Sequence, residues 1–378
     1  MTSLAADRNS DVVVIGGGIH GCSTALHCAL RGMRVTVIEK DYPGRHASGV
    51  NAGGVRQLAR DFAEVPLSAR SMEIWHRIAE LVDDDCGFTS DGQVLVAETE
   101  EELADFRERV RKLNDLGFTH EELIDATELR RLVPAVADSC PGGVVSRRDG
   151  AAIPFRATQA IRRKAETLGA RVLEGVQVET LARRDGLWTV ETSAGTFEAP
   201  VVVNAAGAWA GRIAAMVGEP VPLEVIAPML MITERRPHFI DPVVILHGRK
   251  LSFKQFANGT VLIGGGHEGR PNADTNETAL DWAKLAESAH TVWDVFPVMR
   301  SARIVRAWAG IEARMPDQIP VVGSSARNEG LYHQFGFSAH GFQLGPGTGA
   351  VMAELIATGA TNTPIAPFNI ARFRQPAL

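Results

Sequence analysis

The feature that most constrains this chain is the run DVVVIGGGIHGCSTALHCALRGMRVTVIEK at residues 11–40. It reads as an apolar strand (11–15), a glycine-rich turn (16–21), a helix (23–32) and a second apolar strand (34–40) that ends in Glu39 and Lys40. Gly16, Gly18 and Gly21 stand at G-x-G-x-x-G spacing. The first glycine permits the tight turn, the second lets the backbone approach a pyrophosphate, and the third lets helix close on strand. The helix N-terminus offers amide donors and the positive end of its dipole to that anion, and Glu39 is placed to accept from ribose hydroxyls. A Rossmann dinucleotide site follows, with Ile19, His20 and Lys40 counted in it.

Spacing alone would be weak. Gly264, Gly266 and Gly269 repeat it, but a polar loop follows them and no second strand ends in an acid, so they read as a sheet turn. The remaining pattern places helices at 65–82 and 155–169, hairpin turns at Asp185-Gly186, Ala194-Gly195 and Asn258-Gly259, and a closing helix entered through GFQLGPGTG. With 378 residues the chain exceeds one small core. The expected class is α/β: a Rossmann-type cofactor-binding domain (1–82, 144–218 and 300–378) interleaved with an α+β substrate domain on an antiparallel sheet (83–143 and 219–299).

A net charge of -6 argues against nucleic acid as a partner. Cys22, Cys28, Cys86 and Cys140 show no metal-ligand spacing, so no metal is expected, and at helical spacing Cys22 and Cys28 point away from His27. The opening MTSLAADRNSD lacks the layout of a signal peptide and no run is apolar enough for an integral membrane segment, so a reducing, cytoplasmic location is expected.

The glycine-rich start, the loop HASGVNAGG (46–54), the strand and turn VVVNAAGAW, and the C-terminal pair WAGIEARMPDQIPVVG and GFSAHGFQLGPGTGAVMAELI together resemble the D-amino-acid oxidase superfamily of FAD enzymes over nearly the whole chain. Within it the C-terminal pair is similar to the catalytic subunits of opine oxidases and hydrogen cyanide synthase, and to sarcosine and glycine oxidases. The resemblance implies FAD, with Ser48, Asn51, Ala52 and Gly53, beside His46 and Ala47, on its flavin and ribitol side and Val178 over adenine. It implies Ala206, Gly207 and Trp209 at the middle of the cofactor, and Gly310, Ile311, Gly341, Phe342, Gln343 and Leu344 around the far side of the ring. It further implies oxidation of a C–N bond in an amino acid or N-substituted amino acid. Oxidation of a C–O bond, as in 2-hydroxyacid members, and a flavin subunit working with small partner chains or another electron acceptor are the competing readings.

Departures from the family sharpen the site. Gly310 stands where monomeric sarcosine oxidases attach flavin through Cys, so FAD is expected to be non-covalent. Gln343 replaces a Lys after GHGF and Glu312 an Arg after WAGL, removing two carboxylate anchors. Arg56 then becomes the expected partner of a carboxylate-bearing amine, bracing of its own loop being the alternative. A longer substrate could use Gln343 as a neutral partner. Lys254 could face the flavin and promote oxygen reactivity, although the distribution of lysines favours a surface position. His46 and His340 flank the loops, as contacts to flavin or substrate or as hydrogen-bonding braces.

Overall fold

The computed structural model describes residues 10–373; residues 1–9 and 374–378 lie outside the described residues, and with them most of the opening segment and the outer ends of the expected cofactor domain. The first unit is β1 (Val12–Ile15), α1 (Ile19–Ala29) and β2 (Val35–Ile38). Both strands are buried along their whole length, which is why they read as unbroken apolar runs rather than alternating ones. β1 pairs in parallel with β2 on one side and Val201–Asn204 on the other. Arg171–Leu173 extends the sheet beyond β2, and Leu331–Phe335 followed by antiparallel Val321–Ser324 extends it beyond Val201–Asn204. Gly16 leaves β1 at φ 108°, and a Cβ there would lie 2.4 Å from the Ala205 carbonyl oxygen. A three-stranded meander over 178–199 turns at Asp185 and Gly186, both at positive φ as a tight hairpin requires.

Facing this sheet is an eight-stranded one, ordered Ile304–Ala309, Met229–Thr233, Val261–Gly264, Ser252–Gln255, Val243–Leu246, Gln93–Ala97, Gly142–Ser146, Glu122–Asp125. Its strand order adds two details to the sequence reading. Val243–Leu246 runs parallel to Gln93–Ala97, because a long excursion returns the chain in the same direction, so the sheet is mixed. Ile304–Ala309 and most of Gly142–Ser146 belong to this sheet although their numbers fall in the segments assigned to the cofactor domain, since long-range pairing overrides sequence neighbourhood. The repeated glycine spacing is a sheet turn: Gly264 ends a strand, and a hairpin of Arg270–Asn272 and Glu277–Ala279 follows.

The helix expected over 65–82 breaks into Val65–Trp75 and Ile78–Val82, with Arg77 outside helical conformation at φ −120° and ψ 18°. The closing helix starts at Gly341, so GFQLGPGTG lies inside it. Its glycines serve packing. A Cβ at Gly345, Gly347 or Gly349 would lie 2.9, 2.6 or 2.3 Å from Ile19, Ser71 or Ser23, so α1 and Val65–Trp75 close directly on its backbone. Pro346 interrupts the helical ladder, and the neighbouring helix repairs it. The Gln343 carbonyl accepts from Ser71 Oγ (2.5 Å) and Trp75 Nε1 (2.8 Å), while the Gly347 amide donates to Ser71 Oγ (3.0 Å).

Candidate active site

The two sheets enclose a cavity of about 670 Å³. Ile15, Ile38 and Ala205, at the carboxyl ends of parallel strands, form part of its wall, as the topology of open α/β sheets leads one to expect. Leu95, Leu230, Val243 and Ile245 bring the second sheet to the same space. Of the residues assigned from sequence, Gly16, Gly18, Ile19, His20, Glu39, Lys40, His46, Ala47, Ser48, Asn51, Ala52, Gly53, Arg56, Val178, Ala206, Gly207, Trp209, Gly310, Ile311, His340, Gly341 and Phe342 all line it.

Local bonding explains how the wall is held. Ser48 Oγ accepts from the Ile19 amide at 2.9 Å, docking the loop on the start of α1. Asn51 ties that loop to itself, donating to the Ala47 carbonyl (2.8 Å) and accepting from the Gly53 amide (2.7 Å). Trp308 Nε1 donates to the Val50 carbonyl at 2.9 Å, joining it to the second sheet. Glu39 accepts from the amides of Gly17 (2.6 Å) and Asp41 (2.9 Å); burial pushes its pKa up and those amides oppose the shift. Lys40 lies 3.8 Å from the Trp209 ring centroid and pairs with Asp41, which also binds His46 Nε2 at 2.7 Å. His46 therefore braces its loop while lining the cavity. His20 stacks on Phe337 at 3.6 Å, its ring buried against the Gly341 backbone. Burial lowers its pKa to about 3, so the ring is neutral.

These residues fit a bound dinucleotide. The glycine turn at the start of α1, the acidic Glu39 and a cavity wall drawn from both sheets are what such a ligand needs. The free N-terminal amides of the closing helix, Gly341 to Gln343, also begin at this wall.

Four expectations change. Gln343 is fully buried; it donates to the Ser68 carbonyl (3.0 Å) and accepts from Ser68 Oγ (3.1 Å) and Arg60 (3.3 Å), so it does not reach the cavity. Leu344 packs in the core, because residues one step apart on a helix face different directions. Lys254 is not a surface lysine: it is 6% exposed, on a strand whose Nζ would lie 3.2 Å from a Cβ at Gly53, and burial lowers its pKa to about 7. Gly21 also lies off the cavity wall, in its packing role, since a Cβ there would meet the Gly16 carbonyl at 1.9 Å.

A residue that sequence reasoning missed is Arg60. It lines the cavity at 2% exposure, donating to the carbonyls of Arg56 (2.9 Å) and His340 (3.2 Å), with Nη1 buried and free of any hydrogen bond among the described residues. It lies in an irregular stretch, where no periodicity marks an inward position. Arg56 donates through Nη1 to the Leu58 carbonyl (2.6 Å) and keeps its other donors. Buried carboxylates set the charge balance around the pair. Glu64 faces His340 Nδ1 at 3.3 Å, and Asp149 accepts from the amides of Gln57 and Leu58, its pKa pushed up to about 6 by burial. Arg109 pairs with buried Glu121 and donates to the Arg60 carbonyl at 2.8 Å. Across the wall Glu312 accepts from the Ala339 amide at 2.7 Å.

Comparison with known proteins agrees with this geometry. The family model described as FAD dependent oxidoreductase (DAO) matches residues 11–355. The chain is 25% identical to sarcosine oxidase subunit beta of Rhodobacter capsulatus, over 97% of this chain and 89% of that one. It is 25% identical to hydrogen cyanide synthase subunit HcnC of Pseudomonas aeruginosa, over 98% of each. The crystal structure of L-proline dehydrogenase from P. horikoshii superposes with a TM-score of 0.90 at 32% identity, covering 97% of this chain and 98% of that one. With the match running through the glycine turn, both sheets and the closing helix, the chain belongs to the DAO family of FAD-dependent oxidoreductases.

Proposed function

We propose that the enzyme oxidises the C–N bond of an amino acid or N-substituted amino acid larger than glycine or sarcosine, with FAD held non-covalently. The observation that carries this reading is the pair Arg56 and Arg60, two guanidinium groups in the cavity wall, the second with a buried Nη1 that has no hydrogen bond among the described residues. Such forks match a carboxylate in two-point geometry. When bound, the flavin accepts hydride from the carbon attached to nitrogen. The protein's share is positioning: the guanidinium groups fix the carboxylate, Phe342, Ile245 and Leu95 exclude water, and the helix start at Gly341 offers amides where negative charge builds up. Gly310 supports non-covalent binding, since a Cβ there would meet Val50 at 2.6 Å. Anaerobic photometric screening of the FAD-loaded chain against D- and L-amino acids, N-methyl amino acids and opines tests the reading; bleaching by none of them would contradict it.

A second reading, a flavin-bearing subunit that needs partner chains, draws support from two relatives that are subunits by name. Turnover of the isolated chain with a soluble acceptor would count against it.

A further inference from the structure

We propose that Glu312 receives the substrate's ammonium group and takes its proton, an inference that rests on the amine-oxidising reading above. Glu312 lines the cavity, and Ala339 is the hydrogen-bond donor that holds one of its oxygens. Among the described residues no hydrogen bond engages the second oxygen. The nearest cation on its own strand, Arg314, is committed to Glu224 at 2.8 Å and to Glu268 on the adjoining loop. A carboxylate in the cavity wall that has no cationic partner among the described residues is complementary to a cation brought by the ligand.

The backbone sets the spacing. Ala339 donates to Glu312, and the next residue, His340, accepts from Arg60 at 3.2 Å. One dipeptide thus carries the negative and the positive group, and covalent geometry limits their separation to no more than roughly 14 Å. An α-amino acid with a hydrogen bond at each end needs about 9 Å. Arg60 and Arg56 take the carboxylate and Glu312 the nitrogen, so the two ends of a zwitterion are told apart.

The step balances simply. An ammonium N–H bond breaks, an O–H bond forms on Glu312, and the electron pair stays on nitrogen, leaving the neutral amine from which hydride can depart. Geometry and titration agree. Burial, with the field of Glu268 added, raises this carboxyl to about 7, near the value at which a base works best at neutral pH. The charged groups on the elements packed around it are Glu268, Arg314 with Glu224, and His340 with Glu64.

Two ligands of the same shape separate this from the parent reading: glycine betaine, a carboxylate with a fixed cation, and the tert-butylacetate anion, in which a neutral quaternary carbon takes the place of the cationic nitrogen. Flavin difference spectra of the holoenzyme report the affinity of each without turnover. Above pH 7 the wild type should prefer the betaine by at least about tenfold, a modest fraction of the attraction between unit charges in a partly desolvated site. That preference should fade below the carboxyl's pKa and vanish in Glu312→Gln, while the tert-butylacetate anion binds both proteins alike. No preference in the wild type, or an unchanged ratio in Glu312→Gln, overturns the proposal and leaves the parent reading standing. If neither ligand perturbs the wild-type flavin, there is no carboxylate site and both fall. With an amine that reduces the flavin, Glu312→Gln should slow reduction roughly a hundredfold at neutral pH and recover in alkali, where the amine arrives deprotonated. A loss equal at all pH values overturns the proton-accepting role.

Discussion

Replacing Lys254 by Met should stabilise the protein, and by an amount that depends on pH. The side chain is 6% exposed, and burial alone lowers its pKa from 10.5 to about 7. The sign follows from linkage. Between those two values the unfolded chain binds a proton that the folded one does not, so folding with Lys254 becomes more favourable as pH rises. Below the folded pKa the charged form is carried by both states, and the full desolvation penalty applies. At 1.36 kcal/mol for each unit, the penalty is roughly 5 kcal/mol near pH 6 and about 2 kcal/mol near pH 9. Methionine has a similar length and no charge to desolvate. Urea titrations of the holoenzyme, followed by tryptophan fluorescence, should therefore show a midpoint for Lys254→Met above that of wild type, with a gap that falls by more than half over this range. A gap independent of pH, or a variant less stable than wild type at about pH 6, would refute the reasoning, since Lys254 would then have an anionic partner or access to water.

Acid or heat should release FAD completely, and flavin fluorescence remaining on the denatured polypeptide would contradict the role given to Gly310. Glu39→Arg should lower cofactor occupancy by removing the acceptor beside the glycine turn; unchanged flavin content in the purified variant would count against Glu39 as a ribose partner. Arg56→Ala should reduce kcat/KM by one to two decades with the flavin spectrum intact, because a charge-assisted two-point contact is worth about 1.5–3 kcal/mol. An unchanged KM with poor FAD retention would instead mark Arg56 as a brace of its own loop. Gly349→Val should destabilise by about 1–3 kcal/mol, given the 2.3 Å approach of Ser23 to a Cβ at that position, and thermal unfolding checks it.

Much of this molecule was legible before its structure because its constraints are local. The buried strands beside the glycine turn and the hairpin at Asp185-Gly186 depend on neighbours in sequence and lie where pattern and turn chemistry put them, while α1 already starts at Ile19, inside the stretch read as the turn. What escaped depends on distant partners. Ile304–Ala309 pairs with Met229–Thr233, and nothing in its own residues announces that strand. The GPGTG glycines read as a loop entering a helix because glycine and proline disfavour helix interiors, yet Ser71 and Trp75 from another helix supply the bonds that make them tolerable. In the site, glycine and loop motifs marked residues that line the cavity. Arg60, the buried Lys254 and Gln343, which turns from the cavity into the core, could not be told apart from surface or cavity residues, because direction is set by packing of the second sheet and closing helix.

The fate of nitrogen tests the central claim most directly. In a single anaerobic turnover of FAD-loaded enzyme with a substrate that bleaches the flavin, one equivalent of ammonia or primary amine should appear for each flavin reduced, together with one equivalent of the carbonyl product. Flavin bleached by a 2-hydroxyacid or glycerophosphate, while no amine in the panel bleaches it and no nitrogen is released, would contradict oxidation of a C–N bond.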